Sequence, residues 1–350
     1  MLKTKIPVTI ITGFLGAGKT SLIRHILENA NGKRLALIIN EFGDVGVDAD
    51  IVKGCGIENC PEENVVELAN GCLCCTVADE FLPTLQTLLS TDVPPDHIVI
   101  ETSGLALPKP LVQAFQWPEV RSRTTVDGVV TVIDGPAVRD GMFAANPDAV
   151  DAQRAEDENL DHETALETLF ADQLSCADLV LISKTDLLDA AALQSVVAKS
   201  RDYIRDGVEM LPMQHGKAPV AVVLGQGAAA EDAALPESHH HHHDDHDDHH
   251  HDHDHDDFKS YVLELPKVTD TAAFEQAVHA ALKVKGVLRV KGFAAVEGKK
   301  ARWVLQAVGA RLQTYFDRPL QADDPQNTRL VVIGLRDFDM DQVSNLLTMR

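Results

Sequence analysis

The alternation of short apolar β-type runs with helical patterns predicts an α/β protein, a doubly wound and mostly parallel sheet, with a separate small α+β domain at its C-terminal end. Three observations carry that expectation. Strand-like and helix-like segments alternate from Met1 to about residue 227. A glycine-rich loop separates the first apolar run from the first helical pattern. Further on, the pattern dissolves into Ala, Gly, Glu, Asp and His, too little apolar surface to offset the entropy of ordering, and then regular patterning resumes. Length agrees, because 350 residues exceed what one hydrophobic core usually organises.

Residues 1–227 are assigned to the first domain, 228–257 to a disordered His/Asp-rich linker and 258–350 to the C-terminal domain. The first expected strand, Ile6 to Thr12 (IPVTIIT), leads into an amphipathic helix from Ser21 to Glu28. Leu35 to Asn40 (LALIIN), Val65 to Leu68, His97 to Glu101 (HIVIE), Val126 to Asp134, Asp178 to Ser183 (DLVLIS) and Pro219 to Leu224 read as the remaining strands. Functional residues are then expected at the carboxyl ends of strands. After the linker come a strand (Lys259 to Leu265), a helix (Asp270 to Val284), strands around Val287 to Phe293, Arg302 to Val308 and Arg329 to Gly334, and a closing helix (Asp339 to Leu347).

A composition of 45% hydrophobic and 24% charged residues is that of a soluble globular protein. No run of eighteen apolar residues occurs and the N-terminus lacks the blocks of a signal peptide, so the chain is expected in the cytoplasm. The formal charge is −23; the eight aspartates between His239 and Asp257 account for part of it, leaving about −15 for the rest. An acidic surface argues against nucleic acid and against anionic membranes as partners.

The loop Gly13-Phe14-Leu15-Gly16-Ala17-Gly18-Lys19-Thr20 matches GxxxxGK[ST]. In that pattern glycines let backbone N–H groups close around phosphate oxygens, the lysine meets the β/γ charge, and the hydroxyl ligates Mg²⁺. A preceding strand and a following helix that begins at Ser21 place it in the right context, so the sheet is expected to be of the P-loop NTPase type. Ser183-Lys184-Thr185-Asp186 follows the strand DLVLIS and matches the guanine element [NST]KxD. The Asp186 carboxylate accepts from the N1–H and exocyclic amine of guanine, a donor pair adenine lacks, while the Lys184 stem packs on the ring. Glu101-Thr102-Ser103-Gly104 ends the strand HIVIE, which puts a carboxylate where it orients the Mg²⁺ shell and a Gly104 N–H within reach of a γ-phosphate. Glu41, Asp44 and Asp48 follow the second strand, where a switch loop belongs, and one of these acids is expected to position water or touch metal. Lys19, Glu41, Asp44 and Glu101 are thus the candidate catalytic residues.

Six cysteines in a reducing compartment read as thiols or metal ligands rather than a disulfide framework. Cys176, in an apolar helical stretch, reads as a small core residue, and Cys55 and Cys60 as solvated thiols or accessory ligands. Cys72-Leu73-Cys74-Cys75 concentrates three thiols in four positions. An extended backbone puts Cys72 and Cys74 on one side and a turn brings Cys72 to Cys75, so two thiolates converge more easily than three and further ligands come from Glu41, a histidine or water. The tract from His239 to Asp257, beginning His239-His240-His241, interleaves eleven histidines with eight aspartates and suits loose capture of divalent transition ions.

Together GFLGAGKTS, INEFGDVGVD, GCLCC, ETSG, SKTD and the His-rich linker make the chain resemble P-loop GTPases of the CobW metal-chaperone family. The resemblance extends into the second domain through VLRVKGF and DDPQNTRLVVIG and covers nearly the whole chain. It implies a GTPase, using GTP and Mg²⁺, that acquires a metal ion and passes it to a client metalloenzyme; with no arginine finger assignable in cis, basal turnover is expected to be slow. The stretch VTVIDGPAV and the linker's position resemble the members serving cobalamin biosynthesis, which implies Co²⁺ for a cobalt chelatase; Zn²⁺ supplied to a zinc enzyme under metal limitation is the alternative. Affinity order alone opposes cobalt, since thiolates hold Zn²⁺ more tightly.

Overall fold

A computed structural model describes residues 5–30, 32–40, 65–68, 81–91, 93–144, 146, 150, 165–225, 258–321, 324 and 326–348, with backbone only at 40 and 65–68. Seven strands, β1 (Ile6–Thr12), β2 (Leu35–Asn40), β3 (Val65–Leu68), β4 (His97–Glu101), β5 (Thr124–Asp134), β6 (Leu179–Ser183) and β7 (Met210–Pro212), form one sheet in the order β3-β2-β4-β1-β5-β6-β7. Every pairing is parallel. Strands β4, β5 and β6 are buried along their whole lengths, which is why they read as continuous apolar runs rather than alternating ones. Order reverses at β1, between β4 and β5, so the crevice at its carboxyl end is the position where such sheets bind ligands.

Helix α1 (Lys19–Glu28) covers one face. Its stripe of Leu22, Ile23, Ile26 and Leu27 is fully buried, each side chain contributing about 1.5–3 kcal/mol. On the opposite face lie α2 (Leu82–Leu89), α3 (Pro108–Ala114), α4 (Pro118–Arg121), α5 (Gly135–Arg139), α6 (Leu166–Cys176) and α7 (Ala190–Arg201). Alternation within a strand serves both layers: Leu35 and Leu37 point to the α1 side, Ala36 and Ile38 to the other.

The strand expected over Pro219–Leu224 is instead a short helix, α8 (Val220–Leu224), closed by Gly225 in the left-handed conformation. A five-residue apolar run carries no period that separates helix from strand, and here Pro219 in front and Gly225 behind set the ends. Strand β7, three residues long, escaped the sequence reading because it is too short to show a pattern.

The second sheet comprises β8 (Phe258–Leu265), β9 (Val287–Ala294), β10 (Ala301–Val308), β11 (Arg311–Pro319) and β12 (Thr328–Leu335), antiparallel in the order β11-β10-β9-β12-β8. Strand β11 was not anticipated; it is half-exposed and polar, and its hairpin with β10 supplies its pairing. Helices α9 (Thr271–Leu282) and α10 (Met340–Thr348) cover one face. Asp270 caps α9, its Oδ1 accepting from the N–H groups of Ala272 at 2.9 Å and Ala273 at 3.1 Å, a contact worth about 1 kcal/mol.

The other face of this sheet lies on α1 and α8. Leu288, Val331 and Ile333 belong to the same core as Leu22, Val222 and Leu224. Arg289 enters beside them and is almost completely buried. Its guanidinium donates to Asp127 Oδ2 at 2.8 Å and to the carbonyls of Val222 at 2.5 Å and Val223 at 2.8 Å, so it satisfies the last carbonyls of α8 while pairing with β5.

Candidate functional site

The P-loop runs from the end of β1 to the start of α1. Gly13 has φ 138°, and a side chain there would collide with the Val132 carbonyl oxygen of β5, so only glycine turns the chain here. Gly16, also at positive φ, faces open space, and Ala17 is buried in the α1 core. Gly18 precedes α1 in the left-handed conformation and offers no side-chain cap, and the first turn contains no acid. The helix therefore begins with N–H groups that no side chain of its own cap satisfies, an arrangement suited to phosphate oxygens. Lys19 is 7% exposed, its Nζ donating to the carbonyls of Gly13 at 2.8 Å and Phe14 at 3.2 Å, which folds the ammonium over the loop. Thr20 is half-buried in the first turn. Ser21 sits on the outer side of the helix against Gly216, where an added Cβ would lie 2.6 Å from the serine Cβ.

Glu101 closes β4 in register with Ile11 of β1, its side chain buried. Thr102 ties the two strand ends together, donating its hydroxyl to Thr12 Oγ1 at 2.9 Å. Gly104 then passes directly against the P-loop: a Cβ at this position would lie 2.6 Å from the Leu15 nitrogen. Carboxylate and glycine of the ExxG element thus stand beside the phosphate loop. Gln173 of α6 holds that segment, donating from Nε2 to the carbonyls of Gly104 and Ala106, each at 3.1 Å. Sequence reading missed Gln173; the signal was an amide on the buried stripe of Leu169, Phe170 and Leu174 in an amphipathic helix.

At the end of β6 the Ser183 hydroxyl is buried, has no hydrogen-bond partner among the described residues, and lies near Gly18. Lys184 adopts φ 56°, ψ 34°, which turns its side chain back to Asp134 at the end of β5, Nζ to Oδ2 2.5 Å. Asp134 also caps α5 through the Ala137 N–H at 3.0 Å. Asp186, one residue into the 3₁₀ turn Thr185–Leu187, is exposed, so its carboxylate is open to a base. The segment after β7 braces this element: the Met213 carbonyl accepts from Thr185 N at 3.3 Å and Thr185 Oγ1 at 3.2 Å, and Met213 Cε lies 3.8 Å from where a Gly18 Cβ would be. Neither Asp134 nor the Met213 segment was singled out from sequence, since their closeness to SKTD depends on the order of strands.

These groups share the carboxyl edge of the sheet. The acids Glu41, Asp44 and Asp48, the thiols Cys72, Cys74 and Cys75, Cys55 and Cys60, and the tract with His239, His240 and His241 lie outside the described residues. The strands leading to the first two sets do end at this edge: Asn40 of β2 pairs in register with Leu68 of β3, and Ile39 with Glu101. Cys176 closes α6, where burial raises its thiol pKa, as suits a packing residue. Among the described residues no helix is long and apolar enough to cross a membrane.

Comparison with known proteins follows the same division of the chain. Residues 7–212 match the family model "CobW/HypB/UreG, nucleotide-binding domain", and residues 258–349 match "Cobalamin synthesis protein cobW C-terminal domain". The chain is 52% identical over 345 residues to the zinc chaperone CobW of a Sinorhizobium species, covering 98% of this chain and 97% of that protein. It is 50% identical to the zinc chaperone CobW of Pseudomonas aeruginosa, covering 98% and 91%. It is 29% identical to the zinc chaperone YjiA of Escherichia coli, covering 95% and 94%. With a phosphate loop, a buried acid and the Ser183–Asp186 turn gathered on one sheet edge, and with both halves matched along nearly their full lengths, the chain belongs to the CobW family of P-loop GTPases.

Proposed function

We propose that this protein is a GTP-dependent zinc chaperone: it binds Zn²⁺ at the thiol run Cys72, Cys74 and Cys75 and releases it to a client metalloenzyme when GTP is hydrolysed. The observation that carries the reading is the pair of relatives, half identical over nearly their whole lengths, that are zinc chaperones. That similarity favours zinc over the cobalt expected from the resemblance to cobalamin-linked members, and a zinc-requiring enzyme over a cobalt chelatase as client. Coordination chemistry points the same way, because thiolates hold Zn²⁺ more tightly than Co²⁺.

Lys19 meets the β/γ-phosphates, Ser183, Lys184 and Asp186 read the guanine, and Gly104 offers its N–H to the γ-phosphate. Thr20 and Glu101 would hold Mg²⁺; a hydroxyl and a buried carboxylate are the oxygen donors a hard cation takes, and the ion supplies charge neutralisation on the phosphates. The switch acids Glu41 and Asp44 follow β2, and Cys72 follows β3, strands whose ends are paired. The switch segment and the thiol run therefore follow strands that are neighbours in the sheet. Zinc is the cargo, and the linker histidines, His239 to His241 and those after them, gather it.

Coupling of this kind is reciprocal: if GTP tightens zinc binding about a hundredfold, about 2.7 kcal/mol, zinc tightens GTP equally. The test is chelator competition for Zn²⁺ and Co²⁺ on protein loaded with a non-hydrolysable GTP analogue or with GDP. Zinc should bind more tightly than cobalt, and more tightly in the analogue-loaded form. Equal zinc affinity in both nucleotide states would refute the delivery cycle.

A further inference from the structure

At the amino edge of the parallel sheet, away from the P-loop, a cavity of about 660 Å³ opens between the two domains. Lys5, just ahead of β1, and Arg121, just ahead of β5, belong to its first wall; Arg311 and Tyr315 of β11 and Glu275 of α9 belong to its second. Its volume falls within the range of small-molecule sites, about 300–1,000 Å³.

The cavity is cationic in a chain of net charge −23. Lys5, Arg121, Arg205 and Arg311 line it, with Glu275 as the opposing acid. Arg205 and Arg311 share one fully buried carboxylate, Asp178: Arg205 donates to Oδ1 at 2.7 Å and Arg311 Nε to Oδ2 at 2.5 Å. One negative charge thus holds two guanidinium groups in place and leaves an excess of positive charge. Glu275 is engaged by the Thr314 hydroxyl at 2.6 Å.

Lys5 and Arg121 form no ion pair among the described residues. The Lys5 ammonium lies 4.7 Å from the centroid of the Tyr315 ring, across the domain boundary. Burial first, and the charge of Arg121 second, lower the Lys5 pKa, so the two cations share the first wall close enough to repel each other. No acid of the described residues pairs with either cation, although Glu275 lines the same cavity. Like charges held together in a half-buried cleft cost free energy that an anion between them would relieve. A chain of net charge −23 repels an extended polyanion as a whole, whereas a compact one fits within the cationic cleft.

We infer that this cleft binds a compact polyanion, a small molecule with at least two phosphate or carboxylate groups, spanning Lys5 and Arg121 of the first domain and Arg311 of the second. Because its partners come from both domains, the ligand ties the C-terminal sheet to the GTPase sheet at the edge opposite the nucleotide.

The test uses the full chain saturated with GDP in magnesium-free buffer, so that the P-loop is filled and anions are not sequestered by the metal. Calorimetric titration at low ionic strength with tripolyphosphate and, separately, with citrate should show one molecule bound per chain. Preference for one probe identifies phosphate or carboxylate as the recognised group, and comparable affinity assigns recognition to charge alone. Lys5→Gln and Arg121→Gln should each weaken binding about tenfold or more, as expected for a lost charge-assisted hydrogen bond. Glu275→Gln should tighten it by removing the opposing acid, a gain that an unfolded variant cannot imitate. Affinity unchanged in both cation variants, binding that disappears as GDP is raised, or binding of an acidic peptide in place of both small anions would overturn the inference.

Discussion

Arg289 offers a sharp test of how the two domains are joined. Its side chain is 3% exposed, its partner Asp127 is fully buried, and the same guanidinium caps the carbonyls of Val222 and Val223. Replacing it by Met keeps most of the stem but removes the charge and all three donations. Removing one partner of a buried pair costs about 3–5 kcal/mol because the other charge is left without compensation. The two orphaned carbonyls add to this, at about 1 kcal/mol or more each. We therefore expect Arg289→Met to lose about 4 kcal/mol or more of stability in urea unfolding followed by circular dichroism, with an unchanged dependence on urea. Adding Asp127→Asn should restore at least about 2 kcal/mol, since the double variant no longer buries an unpaired charge. A loss below about 1 kcal/mol in the single variant, or a double variant no more stable than the single, would refute the assignment of the pair as a coupled buried unit.

Three further expectations concern the nucleotide and metal chemistry. In Gly104→Ala the new Cβ falls 2.6 Å from the Leu15 nitrogen, so loop or backbone must shift; affinity for a fluorescent GTP analogue should fall at least about tenfold, and unchanged affinity would show that the close approach is not needed. Asp186→Asn should weaken GTP about a hundredfold and improve XTP relative to GTP, read by competition against the same analogue, because the carboxylate accepts from two guanine donors and an amide does not. Cys72→Ala and Cys74→Ala should abolish tight zinc binding in chelator competition while leaving metal-free GTP affinity within about threefold, and retained tight binding would move the site elsewhere.

Local rules explain why much of the first domain was legible. Strands buried on both faces must be apolar throughout, so β1, β2, β4 and β6 stood out, and the P-loop needs glycine at Gly13 for the collision described above. Glu101 and Ser183 were placed at strand ends because a parallel sheet puts its functional groups there. The error at Val220–Leu224 arose where a short apolar run has no period of its own and its neighbours decide. Strand β11 was missed because its residues are half-exposed and gain their strand character from pairing with β10.

By itself the chain's order of residues determined the class of fold, the phosphate loop, the place of the Ser183–Asp186 turn after its strand and the family resemblance, since each rests on a pattern within a few consecutive positions. Only the tertiary structure decided that Gln173 holds Gly104, that Asp134 receives Lys184, that Arg289 joins the two sheets, and that Lys5 and Arg121 line an interdomain cavity in which Lys5 meets Tyr315. Those pairings join residues far apart in sequence, and burial of charge and close backbone approach are properties of packed surfaces that no local pattern encodes.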